Sequence, residues 1–405
     1  MTEINYESLF KQAKKLEPSM IKFLQDLISI PATSGNEEKR IRRIELEMHK
    51  TGFDEVSIDS VGNIIGKIGS GKTVILMDAH IDSVDTGDLN EWARNPQEGI
   101  LDNGIIYGRG ASDQLAGMVS LVYAVQLIKH FNLLDDYTLY ITGTCLEEDC
   151  EGLAMFNIIR DENLIQPDFV VLSEPTNLKI CRGHPGRIEF KITAKGKASH
   201  SSRPDLGINA IYLMQPVIEA IEALNNSLMV DPFLGKGTVA VTKIECQTPA
   251  LCAIPNECCI YVDRRLTTGE TKEMAFRQLE DIIETRGTPD ATTLEILHYA
   301  ASCWTGKETS MDKYFPGWVI AEDHPLTSAA IKAAEFTLNR PPEIGKWAFS
   351  TNGIATMGTY SIPTIGFGPA NDIYAHTIDD QVPVDHLLIA AIFYAILPEM
   401  LVNKK

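Results

Sequence analysis

No apolar run in the sequence exceeds the eleven residues Leu387–Leu397, which end at Pro398 and Glu399. Crossing a bilayer as a helix takes about 20 apolar residues, so this run predicts a buried helix and no membrane partner. The N-terminus, MTEINYESLFKQAKKLEPSM, lacks the basic-then-apolar layout of a secretion signal. Basic residues are scarce, 36 Lys and Arg against 55 Asp and Glu, for a net charge of −19. That balance opposes phosphate backbones and excludes nucleic acid as a partner. The eight cysteines include no C-x-x-C pair and no even spacing, so a secreted disulfide framework is excluded and reduced thiols in the cytoplasm are expected. With 29 Gly, 20 Pro and 44% hydrophobic residues, neither a disordered nor a collagen-like chain fits. What is left is a folded globular protein of 405 residues, long enough for two or three domains.

Hydrophobic periodicity supplies the organisation. Ile21–Leu24 with Leu27 and Ile28, and then Glu37–Lys50, predict two amphipathic helices. Val56–Ile58, Asn63–Ile68, Thr73–Asp78, Tyr137–Thr144 and Phe169–Leu172 are β-branched runs punctuated by glycines, with helical Val119–Ile128 among them. Strands alternating with helices predict an α/β fold whose central, mostly parallel sheet is flanked by helices and binds ligands at the carboxyl ends of its strands. From Arg187 to Leu297 the order becomes β-α-β-β-α, the pattern of an inserted two-layer α+β domain. The expected division is a discontinuous catalytic domain, 1–186 with 298–405, and an insert, 187–297.

Gly66–Thr73 matches the phosphate-loop pattern G-x-x-x-x-G-K-[ST], which would make a nucleotide-binding module an alternative of another class. Such a loop must open into a helix. A strand is predicted after Thr73, so a tight hairpin turn is the expected structure. The sequence contains neither G-x-S-x-G nor H-E-x-x-H.

Five acceptor-rich positions remain: His80-x-Asp82, Asp113, Glu147-Glu148, Glu174 and His376. All but His376, in a Gly-rich loop, follow an apolar β run. Imidazole with carboxylate suits Zn²⁺, Co²⁺ or Mn²⁺, and one shared carboxylate can hold two such ions about 3.5–4 Å apart. Three carboxylates and one hydroxide would balance two divalent cations, with Asp82 placed to orient His80 through its second ring nitrogen.

The motifs Asp78-Ala79-His80-Ile81-Asp82, Gly108–Asp113, Glu147-Glu148, Ser173-Glu174-Pro175-Thr176, Ser199-His200-Ser201-Ser202 and Ala375-His376 resemble those of the co-catalytic zinc amidohydrolases and exopeptidases. That family includes acetylornithine deacetylase, succinyl-diaminopimelate desuccinylase, aminoacylase and carboxypeptidase G. The likeness extends to the YgeY-type, selenium-metabolism-linked hydrolases through Gly143–Cys150, Ser350–Gly353 and Gly366–Pro369. It implies two metal ions per chain, zinc first, with Asp113 bridging, His80 and Glu174 at one ion, and Glu148 and His376 at the other. It further implies Glu147 as general base to a metal-bound hydroxide, a cis Asp113–Gln114 bond, and dimerisation through the insert. His200 would stabilise the oxyanion in the partner's site, and Arg265 and Asn209 would bind a substrate carboxylate. The implied reaction is hydrolysis of an N-acyl or peptide bond in a small amino-acid derivative. An N-carbamoyl substrate from purine breakdown, or a metal-binding but silent homologue, are the alternatives.

Overall fold

A computed structural model describes residues 5–402. Strands β1 (Glu55–Ile58), β2 (Ile64–Gly69), β3 (Thr73–His80), β4 (Tyr137–Thr144), β5 (Phe169–Leu172) and β6 (Ile180–Cys181) belong to one mixed sheet of eight. The insert's sheet holds β7 (Gly186–Lys195), β8 (Thr238–Gln247), β9 (Glu257–Leu266), β10 (Thr292–Ile296) and β11 (Tyr314–Phe315). The chain then returns to the first sheet with β12 (Ile344–Gly345) and β13 (Thr364–Gly366), completing the order β1-β2-β4-β3-β5-β13-β6-β12. Its centre is parallel: β3 runs with β4 and β5, and β5 with β13. Residues such as Ile75, Leu76 and Met77 are buried because helices cover both faces.

Those helices are α1 (Tyr6–Ile28), α2 (Glu38–Thr51), α3 (Ala116–His130), α6 (Pro325–Leu338) and α7 (Val384–Val402), while α4 (Ala210–Leu224) and α5 (Lys272–Arg286) belong to the insert. Segments 111–130 and 384–402 are long and apolar enough to cross a membrane, yet 94% and 72% of their apolar windows lie buried inside the protein, where α7 packs on α3 and α6. Pro398 does not stop α7, which runs on to Val402. Burial of Leu401 keeps the last turn in place although proline offers no N–H.

Two further expectations change. Thr73 opens a strand, as predicted, but Gly66–Thr73 is no hairpin: β4 lies between β2 and β3, and the loop steps over it. The insert's sheet also reaches past residue 297, because Tyr314–Phe315 pair with β7 beside β10, itself a strand the periodicity did not show. The insert has its own core, built on residues such as Ile188, Phe190, Met214, Ile260 and Leu279.

Between β10 and β11 a hairpin, His298–Ser302 with Glu308–Asp312, forms an arm back to the first sheet. Its Trp304 donates to the Gly62 carbonyl (3.3 Å), and a Cβ at Gly62 would sit 2.0 Å from the indole nitrogen. Thr305 and Lys307 bind Ser60, and Tyr299 donates to Asp149 (3.1 Å).

Candidate metal centre

Parallel register aligns the strand ends. His80 lies opposite Thr144, and Asp78 opposite Leu172, so the residues that follow β4 and β5 emerge beside His80. The β4 extension turns sharply, with Leu146 at φ 60°. Four successive amides in this turn each reach a side chain from elsewhere. Cys145 N donates to Asn63 Oδ1 (2.9 Å), Leu146 N to Glu37 Oε1 (3.1 Å), Glu147 N to Asp82 Oδ1 (3.2 Å) and Glu148 N to Asp82 Oδ2 (3.1 Å). Asp82, fully buried and also bound by Ser34 Oγ at 2.7 Å, therefore clamps the double-glutamate turn. His80 Nδ1 is nearer the Asp82 backbone carbonyl (3.1 Å) than its carboxylate (3.5 Å), so the expected orienting contact is made mainly by the main chain.

Asp113 is carried on the bend leading into α3 and is followed by a cis Asp113–Gln114 peptide. The amides of Gly110 and Ser112 and the Ser112 hydroxyl donate to buried Asp380 at 2.7–2.8 Å, fixing this bend against the C-terminal loop. Glu174 follows β5, and a Cβ at Gly368 would lie 2.0 Å from its carbonyl oxygen. Neither Asn63, Glu37 nor Asp380 carries a spacing signal in the sequence.

The six side chains meet. Asp113 Oδ1 is 2.9 Å from His80 Nε2, and its Oδ2 is 3.4 Å from His376 Nε2, so the carboxylate spans the two imidazoles. His376 Nε2 is 2.9 Å from Glu148 Oε2, and His80 Nε2 is 3.9 Å from both Glu147 and Glu174. Two groups converge closely enough for a metal ion, His80 with Asp113 and Glu148, and His80 with Glu147 and Glu174. The second includes the residue expected to remain free as base, so distance alone does not separate base from ligand. The two halves also differ in exposure: the His80 side chain is 1% exposed and that of His376 51%.

The electrostatics fit a cationic occupant. Burial, opposed by His80 but reinforced by neighbouring carboxylates, pushes Glu147 and Glu174 well above the ordinary carboxylate range. Asp113, despite burial, is held low by His376 and His80. Hydrogen bonds to Asp113 and Glu148 raise His376 to about 10. Four crowded carboxylates face two imidazoles, a donor set that suits divalent ions.

A cleft of about 370 Å³ opens over the cluster, lined also by Arg265, Arg187, Glu151, Phe349, Ser350 and Asp372. Arg265 is paired with Asp263, and Arg187 with Glu151. His200 and Asn209 do not line this cleft in their own chain. His200 is exposed, bonded to Ser202, and Asn209 caps α4 through the Ile211 amide. His184 is a core residue that accepts from Trp318 and Thr351, His324 caps α6, and Cys145 and Cys150 are buried thiols.

Residues 182–291 match a family model described as the peptidase dimerisation domain. The uncharacterised protein YgeY of Escherichia coli is 40% identical over 98% of this chain and 97% of its own. Acetylornithine deacetylase of Buchnera aphidicola is 25% identical over 90% of this chain and 93% of its own. The dinuclear metal-binding M20 peptidase YxeP of Bacillus subtilis superposes with a TM-score of 0.70 at 14% identity, over 96% of this chain and 99% of its own. The chain belongs to the M20 family. As an M20 hydrolase it acts on C–N bonds, and the double-glutamate turn, the Asp113 bend and the His376 loop lie together at the mouth of its parallel sheet.

Proposed function

We propose that this M20 hydrolase is a dinuclear amidohydrolase of the cytoplasm that cleaves an N-acyl or peptide bond in a small amino-acid derivative bearing a free carboxylate. The observation that carries the reading is Asp113, whose two oxygens face two imidazoles from opposite ends of the chain. His80 and Glu174 would hold one cation, Glu148 and His376 the other, with zinc favoured by the donors and cobalt or manganese able to replace it. Bound there, the cations would polarise the scissile carbonyl and supply a water that ionises near neutral pH.

The remaining work falls to protein groups. Glu147, set by the Asp82 clamp, takes the proton of the attacking water and delivers it to the leaving nitrogen. Arg265 on the cleft wall receives the substrate carboxylate through its guanidinium fork. The insert pairs two chains, which brings His200 and Asn209 to the partner's cleft. The family model over 182–291 supports that arrangement, as does the exposure of Leu206, Ile208, Ile211 and Tyr212 on one stretch of the insert. The cytoplasmic reading is supported by eight cysteines, none in a disulfide.

Two measurements test this. Metal-loaded protein should release free amine from one of the N-acetyl, N-succinyl, N-carbamoyl or dipeptide amino acids, and release from none would refute the reaction class. Glu147→Gln should keep close to two metals while losing most turnover, whereas Asp113→Ala should lose both. Metal loss in Glu147→Gln matching that of Asp113→Ala would overturn the assignment of base and ligand.

A further inference from the structure

The insert's sheet ends at β8, whose outer edge is unpaired among the described residues. Near the end of that strand Cys246 stands directly opposite Cys258 on β9, and their sulfurs are 3.4 Å apart. Cys246 is exposed and Cys258 is buried. Between them runs the loop 248–256, on which the His200 segment is laid. Ser201 N donates to the Cys252 carbonyl and Ile254 N to the Ser199 carbonyl, both at 2.8 Å, and His200 bridges to Ala253. Residues directly opposed on antiparallel strands have Cα atoms about 4.5–5.5 Å apart, within the span a disulfide bridges.

We propose that Cys246 and Cys258 form a reversible intrachain disulfide, made by a peroxide and undone by a dithiol. The thiolate of Cys246, the exposed partner, attacks the peroxide O–O bond, becomes a sulfenic acid and releases water once the departing oxygen is protonated. The sulfur of Cys258 then attacks that of Cys246; the S–O bond breaks, and the hydroxyl leaves as water with the Cys258 proton. Two electrons pass from the thiols to hydrogen peroxide, which ends as two waters. Burial, followed by its contact with Cys246, pushes the Cys258 thiol up to about 12, so the first attack on the peroxide falls to exposed Cys246. Cys252, also exposed but within the loop, has no opposed cysteine in the sheet register and serves as the internal control. The bridge would staple the base of the loop that carries the His200 segment. The disulfide itself stands apart from the proposed reaction.

The test treats the full-length, metal-loaded chain with hydrogen peroxide, counts thiols after denaturation, and maps non-reduced peptides. The expected result is a fall from eight free thiols to six, with one peptide pair joining Cys246 to Cys258 and full recovery with dithiothreitol. Cys258→Ser should stop at a dimedone-reactive sulfenic acid on Cys246, and amides 201 and 254 should exchange more slowly in the oxidised wild type. Eight persisting thiols, a Cys246–Cys252 link, or a disulfide joining two copies of the chain would each overturn the proposal.

Discussion

Replacing Asp82 with Asn tests whether the double-glutamate turn depends on a clamp beneath it. The carboxylate accepts the amides of Glu147 and Glu148 and the Ser34 hydroxyl, with no water access. An amide group presents one N–H₂ where an oxygen stood, and either orientation sets it against a backbone N–H. One buried donor left unpaired costs about 1–3 kcal/mol. Displacing a group that orients metal ligands typically costs about 10–100-fold in metal affinity or activity. The stability loss should depend on pH. Burial and then the Asp82 charge raise Glu37 to about 7, so the folded protein retains a proton there that the unfolded chain, with an ordinary Glu, has lost. Glu37 thus weakens the fold as pH rises from about 4.5 to about 7, and Asp82→Asn relieves part of that loss. The variant's deficit should therefore be larger at pH 4.5 than above pH 7. Urea unfolding of metal-free protein at both pH values, with metal content and turnover at neutral pH, measures each term. Wild-type turnover with two metals bound would refute the clamp, and an equal deficit at the two pH values would refute the coupling of Asp82 to Glu37.

Metal uptake near pH 7 should release protons, because His376, raised to about 10 by Asp113 and Glu148, must become neutral to ligate; calorimetry in buffers of different ionisation enthalpy counts them, and zero release would contradict the assignment. Mixing His200→Ala with Glu147→Gln protein should restore about a quarter of wild-type activity after random subunit exchange, since each mixed dimer has one complete site. Verified exchange without recovery would place His200 in its own chain or outside catalysis. Trp304→Ala should cost about 1.5–3 kcal/mol in urea unfolding by freeing the arm from Gly62, and an unchanged midpoint would deny the arm any anchoring role.

The strand ends were legible because a buried parallel strand reads as an apolar run, and the polar residue that terminates it stands out. His80, Glu147, Glu148 and Glu174 were found in that way, and the structure brings them together with Asp113 and His376. The acceptors that hold those residues were not legible. Asn63, Glu37 and Asp380 are single polar residues in loops or at helix starts, and nothing local connects them to the amides they bind. The hairpin reading of Gly66–Thr73 failed for a related reason, since adjacency in sequence does not fix adjacency in a sheet into which β4 inserts. Thr292–Ile296 does alternate, but its inward face is only Thr292, Leu294 and Ile296, one of them polar and two half-buried, too short and weakly apolar a run to stand out. The arm escaped because its meaning lies in Trp304 meeting Gly62, across a large gap in sequence.

The spread of the cluster along the chain has a consequence for biosynthesis. His80, Asp113 and Glu174 are all translated before the insert, His80 and Glu174 at the ends of neighbouring strands and Asp113 on the bend into α3, so the proposed inner ligand set needs no residue beyond 174. The other sphere waits for His376, half-exposed and delivered by a loop that Asp380 buttons onto residues 110–112. Under the proposed ligand assignment, a nascent chain would complete the deeper ligand set first. On the same assignment, a protease nick between Asp372 and Asp380 would free His376 first, and with it the proposed outer ligand set.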